Sequence, residues 1–286
     1  MFYLHRMKLS LNTVILALAL GANALVGSSW SMTNVPSTGI TEITFPIAIL
    51  EADHISGYYF AQQFAFTGTT DIGYTGLQPR PDSNGKSVLH AAFSSFIAGT
   101  TSTDSNCSDG ADGGAGVSCS VEWNGVYGRT YNLEVVYQVW SGHWVGTIVD
   151  TVTHARVHIG SYKLPSGVGG ITSSQVGFVE WYPWNGGEPA DHCAKLPYQK
   201  TFFGNPTTTH WGSKGTVDLP YEYGDCKGQV DLSAHKVDGG VQVNCAAVRV
   251  PGSDWRGENG PGFNAELPRN LVLSAQSQLL TPLVAV

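Results

Sequence analysis

Thr130-Tyr131-Asn132-Leu133-Glu134-Val135-Val136-Tyr137-Gln138-Val139-Trp140 is the stretch that decides the fold. Tyr131, Leu133, Val135, Tyr137 and Val139 fall on one face of an extended chain. Asn132, Glu134, Val136, Gln138 and Trp140 fall on the other. Ser141-Gly142 then reads as a two-residue turn, and His143 to Asp150 returns as a second strand. Thr151 to His154 leads into a third, Ala155 to Lys163, so the segment predicts a β-meander. Working outward, the same period of two marks Thr41–Leu50, Gly57–Thr67, Asp71–Gln78, Val117–Trp123, Gln175–Trp184, Gln229–Val237 and Val241–Val248. Ser87–Ala98 fits a strand better than the helical face that Leu89, Phe93, Phe96 and Ile97 would share. No internal repeat or linker divides the chain. Many strands at short spacing, separated by Gly and Pro, predict an all-β, two-sheet antiparallel sandwich of jelly-roll (concanavalin-like) type.

The amino end reads as an export leader covering residues 1–24. Arg6 and Lys8 precede the apolar run Leu9 to Leu20, and Ala22-Asn23-Ala24 offers small residues for cleavage. The run is too short to span a membrane, which takes roughly 20 apolar residues. Residues 25–286 are then one domain with a loose tail from about 275; Asn270 to Val286 is expected to hold a last strand, a lipid-anchor signal being the lesser alternative. With Arg6 and Lys8 gone, 13 Lys and Arg face 22 Asp and Glu, a formal charge of −9. That balance argues against nucleic acid and anionic membranes as partners. An extracellular location and a monomeric state are expected.

All five cysteines follow the leader, so disulfides are expected. Cys107 and Cys119 bracket a Gly/Asp/Ser segment with no core-forming side chains, read as a floppy loop that a bridge would close. Cys193 and Cys226 lie in Gly/Pro-rich connections and form the second expected pair. Cys245 alternates with Val241 and Val243 and is assigned to the core. No spacing resembles a zinc site, and no cofactor is expected. Asp104, Asp109 and Asp112 are weighed as a calcium site, although the segment lacks the glycine and terminal acid of an EF-hand loop.

Three stretches carry a resemblance. Tyr58-Tyr59-Phe60-Ala61-Gln62-Gln63-Phe64 leading to Gly73-Tyr74-Thr75-Gly76-Leu77-Gln78, then Gly177-Phe178-Val179-Glu180-Trp181-Tyr182-Pro183-Trp184-Asn185, then Tyr221-Glu222-Tyr223-Gly224-Asp225-Cys226, together resemble an uncharacterised family of secreted proteins from filamentous bacteria and fungi. The resemblance implies a secreted β-sandwich reminiscent of concanavalin-like lectins and polysaccharide lyases. It implies no established reaction and no catalytic residue.

The residues themselves point to sugar. Glu180, Tyr182 and Trp184 share one strand face and Asn185 follows, while Trp181 points to the other side. Aromatic rings cover the C–H faces of sugars, and carboxylates and amides take the hydroxyls. Tyr59 and Gln63 share a face and are the second half of the expected recognition surface; Gln62 is assigned to a hydrogen-bonded place in the core. The reading is a glycan- or polysaccharide-binding module. Two enzymatic alternatives stand beside it. A lyase would draw on Tyr59, Gln63, His90 and Arg80 or Arg129, with His90 as base. A glycoside hydrolase would need a second acid for Glu180, and Glu222 or Asp225 are the candidates. A non-catalytic effector is the third possibility. No Gly-x-Ser-x-Gly elbow, His-Glu-x-x-His helix or phosphate-binding glycine loop occurs.

Overall fold

The computed structural model of the chain describes residues 24–183 and 190–247. In chain order the strands are β1 (Ala24–Thr33), β2 (Glu42–Ala52), β3 (Tyr58–Ala65), β4 (Ile72–Ser83), β5 (Lys86–Ser95), β6 (Cys107–Ala111), β7 (Gly114–Trp123) and β8 (Tyr131–Gln138). They continue as β9 (His143–Asp150), β10 (Arg156–Tyr162), β11 (Ser174–Trp181), β12 (Gln199–Gly204), β13 (Lys214–Val217), β14 (Tyr221–Glu222), β15 (Val230–Val237) and β16 (Gly240–Ala247). No α-helix occurs among the described residues. A nine-stranded sheet runs β13-β1-β11-β3-β4-β5-β7-β6, with β14 also on β1; a seven-stranded sheet runs β10-β9-β8-β2-β12-β16-β15. Every pairing is antiparallel, and the expected two-sheet sandwich is present.

Alternation explains the core. Phe60, Phe64, Leu77, Leu89, Ala91 and Phe93 from the larger sheet meet Ile43, Phe45, Ile47, Leu133, Val135 and Ile148 from the smaller, all at or near zero exposure. Rings lock the layers together. Trp30 on β1 meets Phe45 on β2 edge-on at 5.2 Å, and Phe93 on β5 stacks on Tyr162 of β10 at 4.4 Å. Such pairs add about 1 kcal/mol each beyond the apolar area they bury.

Three local readings are corrected. The β8–β9 connection is a four-residue turn, because Gln138 pairs with His143 and Gly142 takes φ = 73°. Val139 and Trp140 therefore leave the strand and stand exposed at its tip. The segment between Cys107 and Cys119 is a hairpin rather than a floppy loop. Asp112 and Gly113, both at positive φ (48° and 77°), make the tight reversal from β6 to β7. Finally, β1 begins at Ala24, the last residue assigned to the leader. The rest of the leader and the expected strand in Asn270–Val286 lie outside the described residues.

Cys107 is bridged to Cys119 and Cys193 to Cys226, while Cys245 is a buried free thiol. Burial first, then the charges of Glu222 and Asp231, push the Cys245 thiol up to about 12. Gly160 on β10 lies flat against the first bridge, since a Cβ there would run into Cys107 Sγ and Cys119.

Candidate functional site

Register assembles a row of polar groups across the outer face of the nine-stranded sheet. Glu180 on β11 pairs with Tyr59 on β3, Gln78 on β4 with His90 on β5, and His90 with Glu122 on β7. The Phe60–Leu77 pair, continued by one residue, sets Tyr59 beside Gln78. Two residues along each strand the matching row is Phe178, Ala61, Gly76, Ala92 and Ser120. Two further on it is Gln63, Tyr74, Ser94 and Ser118. Ala61, Gly76, Ala92 and Ser120 thus form a low strip beside the longer Tyr59–Gln78–His90–Glu122 row; beyond it Gln63 and Tyr74 rise again, roughly 13 Å from the first row at about 3.4 Å per residue, while Ser94 and Ser118 stay low. The result is a shallow groove across the strands, partly filled where Tyr59 and Phe178 pack with Ala61 and Ala92. Gly76 is required in its floor, because a Cβ there would strike the Phe60 carbonyl and the Tyr59 ring. At one end Tyr59, Tyr74 and Phe178 contact one another edge-on at 5.3–6.4 Å, with Tyr182 and Tyr223 packed against them.

Arg80, one turn of the pleat beyond Gln78, organises the polar wall. Its Nε donates to Glu122 Oε1 (3.0 Å), its Nη2 to Gln78 Oε1 (2.6 Å) and its Nη1 to the Pro79 carbonyl and the Tyr182 hydroxyl. A guanidinium has donors only, so it holds Gln78 by its oxygen and leaves the amide N–H groups for another partner. His90 Nδ1 lies 3.4 Å from Glu122 Oε1 but without the alignment of a hydrogen bond. Burial first, then Arg80, lowers the imidazole to about 4, against an opposing pull from Glu122. The ring is neutral at physiological pH, so the Glu122 contact is not an ion pair there.

That depression has a testable sign. The folded His90 binds its proton only near pH 4, the unfolded one near 6.5. Between these values the unfolded chain holds more protons, so this group's contribution is complete above about pH 6.5 and disappears as pH falls through 4. The shift corresponds to about 3 kcal/mol. His90→Gln should flatten the pH dependence of urea unfolding between pH 4 and 6.5, and an unchanged slope would refute the assignment.

Two carboxyl groups bracket the tyrosines. Asp112, at the hairpin reversal, accepts from the Tyr74 hydroxyl with both oxygens (3.1 and 3.2 Å). Burial raises its carboxyl, with the Tyr74 bond opposing. Glu180 is 8% exposed. The Tyr59 phenol is driven well above its usual range by burial, then by Tyr74, Asp112 and Glu180. Glu180 and Gln78 flank Tyr59 from strands two apart, a backbone span of roughly 10 Å with the Tyr59 side chain between them.

Of the expected recognition residues, Tyr59, Glu180 and Tyr182 meet in this groove together with His90. Gln63 lies on the same face, four residues along β3 from Tyr59. Trp184 and Asn185 lie outside the described residues. Trp181 is on the core side, edge-on to Tyr58 at 4.9 Å. Gln62 is buried in the core, and its Oε1 has no hydrogen-bond partner among the described residues. The carboxylate pair expected for a glycosidase does not form. Glu222 pairs with Val26, which pairs with Val179, so it belongs to the opposite face from Glu180, and Asp225 is exposed in the following turn. The calcium site does not form either. Asp104 is engaged by His158 (2.6 Å) and Ser161 (2.9 Å), Asp112 by Tyr74, and no metal-binding cluster occurs among the described residues. Arg129 is paired to Asp150 elsewhere in the sandwich. Gln78, Glu122 and Asp112 were not anticipated as groove residues.

No family model and no curated protein matches this chain. Two solved structures of scytalido-glutamic peptidase are similar to it, one with a transition state analog inhibitor and one with a peptide based transition state analog. They are 12% and 14% identical with TM-scores of 0.42 and 0.44, and each match covers 79% of this chain and 98% of the other. Likeness of that extent decides nothing about this chain's chemistry.

Proposed function

We propose that the protein is an extracellular module that binds a polysaccharide chain in the groove across its larger sheet. The observation that carries this reading is the row Glu180–Tyr59–Gln78–His90–Glu122 beside a floor of Gly76, Ala92 and Ser120, capped at one end by tyrosines. Gln78, His90, Ser120 and Tyr182 keep accessible surface along this row for an extended polymer, ring edges suit its C–H surfaces, and the carboxyl and amide groups suit its hydroxyls. Two disulfides support an oxidising compartment, and no helix among the described residues is long and apolar enough to cross a membrane. Tyr182→Ala should weaken binding to the preferred polysaccharide on a glycan array by at least about tenfold, roughly 1.4 kcal/mol. The residue is half-buried at the groove's end, so the melting temperature should barely move. Binding to no polysaccharide, or binding indifferent to Tyr182, refutes the reading.

A second reading is favoured by one observation, the Gln78 amide that Arg80 turns outward across Tyr59 from Glu180. Glu180 would act as acid and base on a water molecule, and the Gln78 N–H groups would polarise the bond attacked. An amide donor suits a carbonyl better than an acetal, so this is hydrolysis of an acyl bond in a bound polymer. The low pKa of His90 makes it a weak base and counts against a lyase. Cleavage lost in both Glu180→Gln and Gln78→Ala, yet kept in His90→Ala, would replace the binding module by this hydrolase. Unsaturated uronate products absorbing in the ultraviolet would instead support the lyase.

A further inference from the structure

We infer a second binding site, separate from the groove, that takes one neutral, hydroxylated ring the size of a single pyranose. It lies at one end of the sandwich, where β7 leaves the larger sheet at Trp123 and the chain crosses to β8 in the smaller one. The β9–β10 turn closes the other side, with His154 at φ = 60°. Between them is a cavity of about 230 Å³. Drug-sized sites begin at roughly 300 Å³, so the space limits its occupant to one small ring.

The lining is divided. Trp123, Val126, Ile148 and Val157 supply apolar wall, and Asn124, Arg129, Asp150 and Thr153 the polar part. The ion pair is largely shielded, the two side chains being 26% and 11% exposed. Asp150 is engaged through both oxygens. One oxygen accepts from the backbone N–H groups of Val152 (2.8 Å) and Thr153 (3.1 Å), the other from Arg129 Nη1 (2.6 Å). Arg129 is not, because that bond uses one of its five N–H donors and no other is engaged among the described residues.

These facts select the ligand. Guanidinium donors want oxygen atoms, and the Asn124 amide beside them offers a hydroxyl both a donor and an acceptor. With Asp150 already neutralising the charge, a full anion gains little over a hydroxyl, and its desolvation is a larger penalty. Aliphatic and indole walls suit the C–H faces of the same ring. A pyranose presents both surfaces at once, whereas acetate presents two charged oxygens and a single methyl group.

Nuclear magnetic resonance of the full chain tests this with methyl glucoside and sodium acetate as probes. Methyl glucoside should shift the Trp123 indole and Arg129 Nε–H resonances in a saturable way, and acetate should not. Ala155 is an exposed lining residue, so Ala155→Phe fills the space while leaving the Arg129–Asp150 pair in place. It should weaken the response at least about tenfold, and Tyr182→Ala in the groove should leave it intact. A response to acetate as strong as to the glucoside, a response that survives Ala155→Phe, or no shift at the solubility limit of the glucoside overturns the site. Loss in Tyr182→Ala alone would return the binding to the groove.

Discussion

Phe93→Ala will lower the free energy of unfolding by about 3–5 kcal/mol in a urea titration at neutral pH. Phe93 has no exposed surface, stacks on Tyr162 of the opposite sheet at 4.4 Å and tilts against Phe64 at 6.2 Å. On its other side lies Gly146 of β9, where a Cβ would collide with the ring. That backbone is held in a ladder between β8 and β10 and cannot collapse into the space left by the ring, so the cavity should persist. A loss under about 1 kcal/mol would mean that the two layers do not meet at Phe93.

Replacing Cys193 and Cys226 together by Ala should cost about 3–4 kcal/mol, the loop entropy of a bridge spanning 33 residues. The Cys107–Cys119 bridge spans 12 and is expected to contribute somewhat less. The longer bridge also reaches the groove. It ties the segment around Cys193 to the chain just after β14, next to Tyr223, which packs with Tyr59 and Phe178 and whose phenol is raised by burial and by Glu180. The double variant should therefore lose polysaccharide affinity at temperatures where circular dichroism still reports a folded sandwich. Affinity equal to that of the native protein would separate this bridge from the site.

Period-two alternation made the strands legible, because each face of a strand meets one environment and the side chains declare it. The neighbours of each strand were less so. Asn84-Gly85, both at positive φ (52° and 70°), reverse the chain between β4 and β5, and Asn-Gly is a strong hairpin signal. Counting back from the Ser83–Lys86 pair would nevertheless set Gln78 against Ala91; an irregularity between Arg80 and Ser83 shifts the register by one and brings Gln78 opposite His90. Tyr59 beside Glu180 was hidden too, since β3 and β11 are separated by more than a hundred residues and nothing local selects their register. Asp112 was hidden for another reason. Its segment was read as loop because it has no core residues, although Asp112-Gly113 is itself a hairpin signal; only the resulting hairpin carries the carboxyl to Tyr74. The face of Trp181 followed from alternation with Glu180, and Cys245 from alternation with Val241 and Val243.

Cys245 also bears on how this chain matures. A thiol whose pKa is about 12 supplies roughly one thiolate in 100,000 at neutral pH. Folding thus serves as a protecting group for the odd sulfur, which can neither attack the two bridges nor join a neighbouring molecule. An unfolded chain has no such protection. There Cys245 is an ordinary thiol competing with four others, so the order of events matters: β16 must be seated between β12 and β15 before oxidation is complete, or the fifth cysteine becomes a source of mispaired chains.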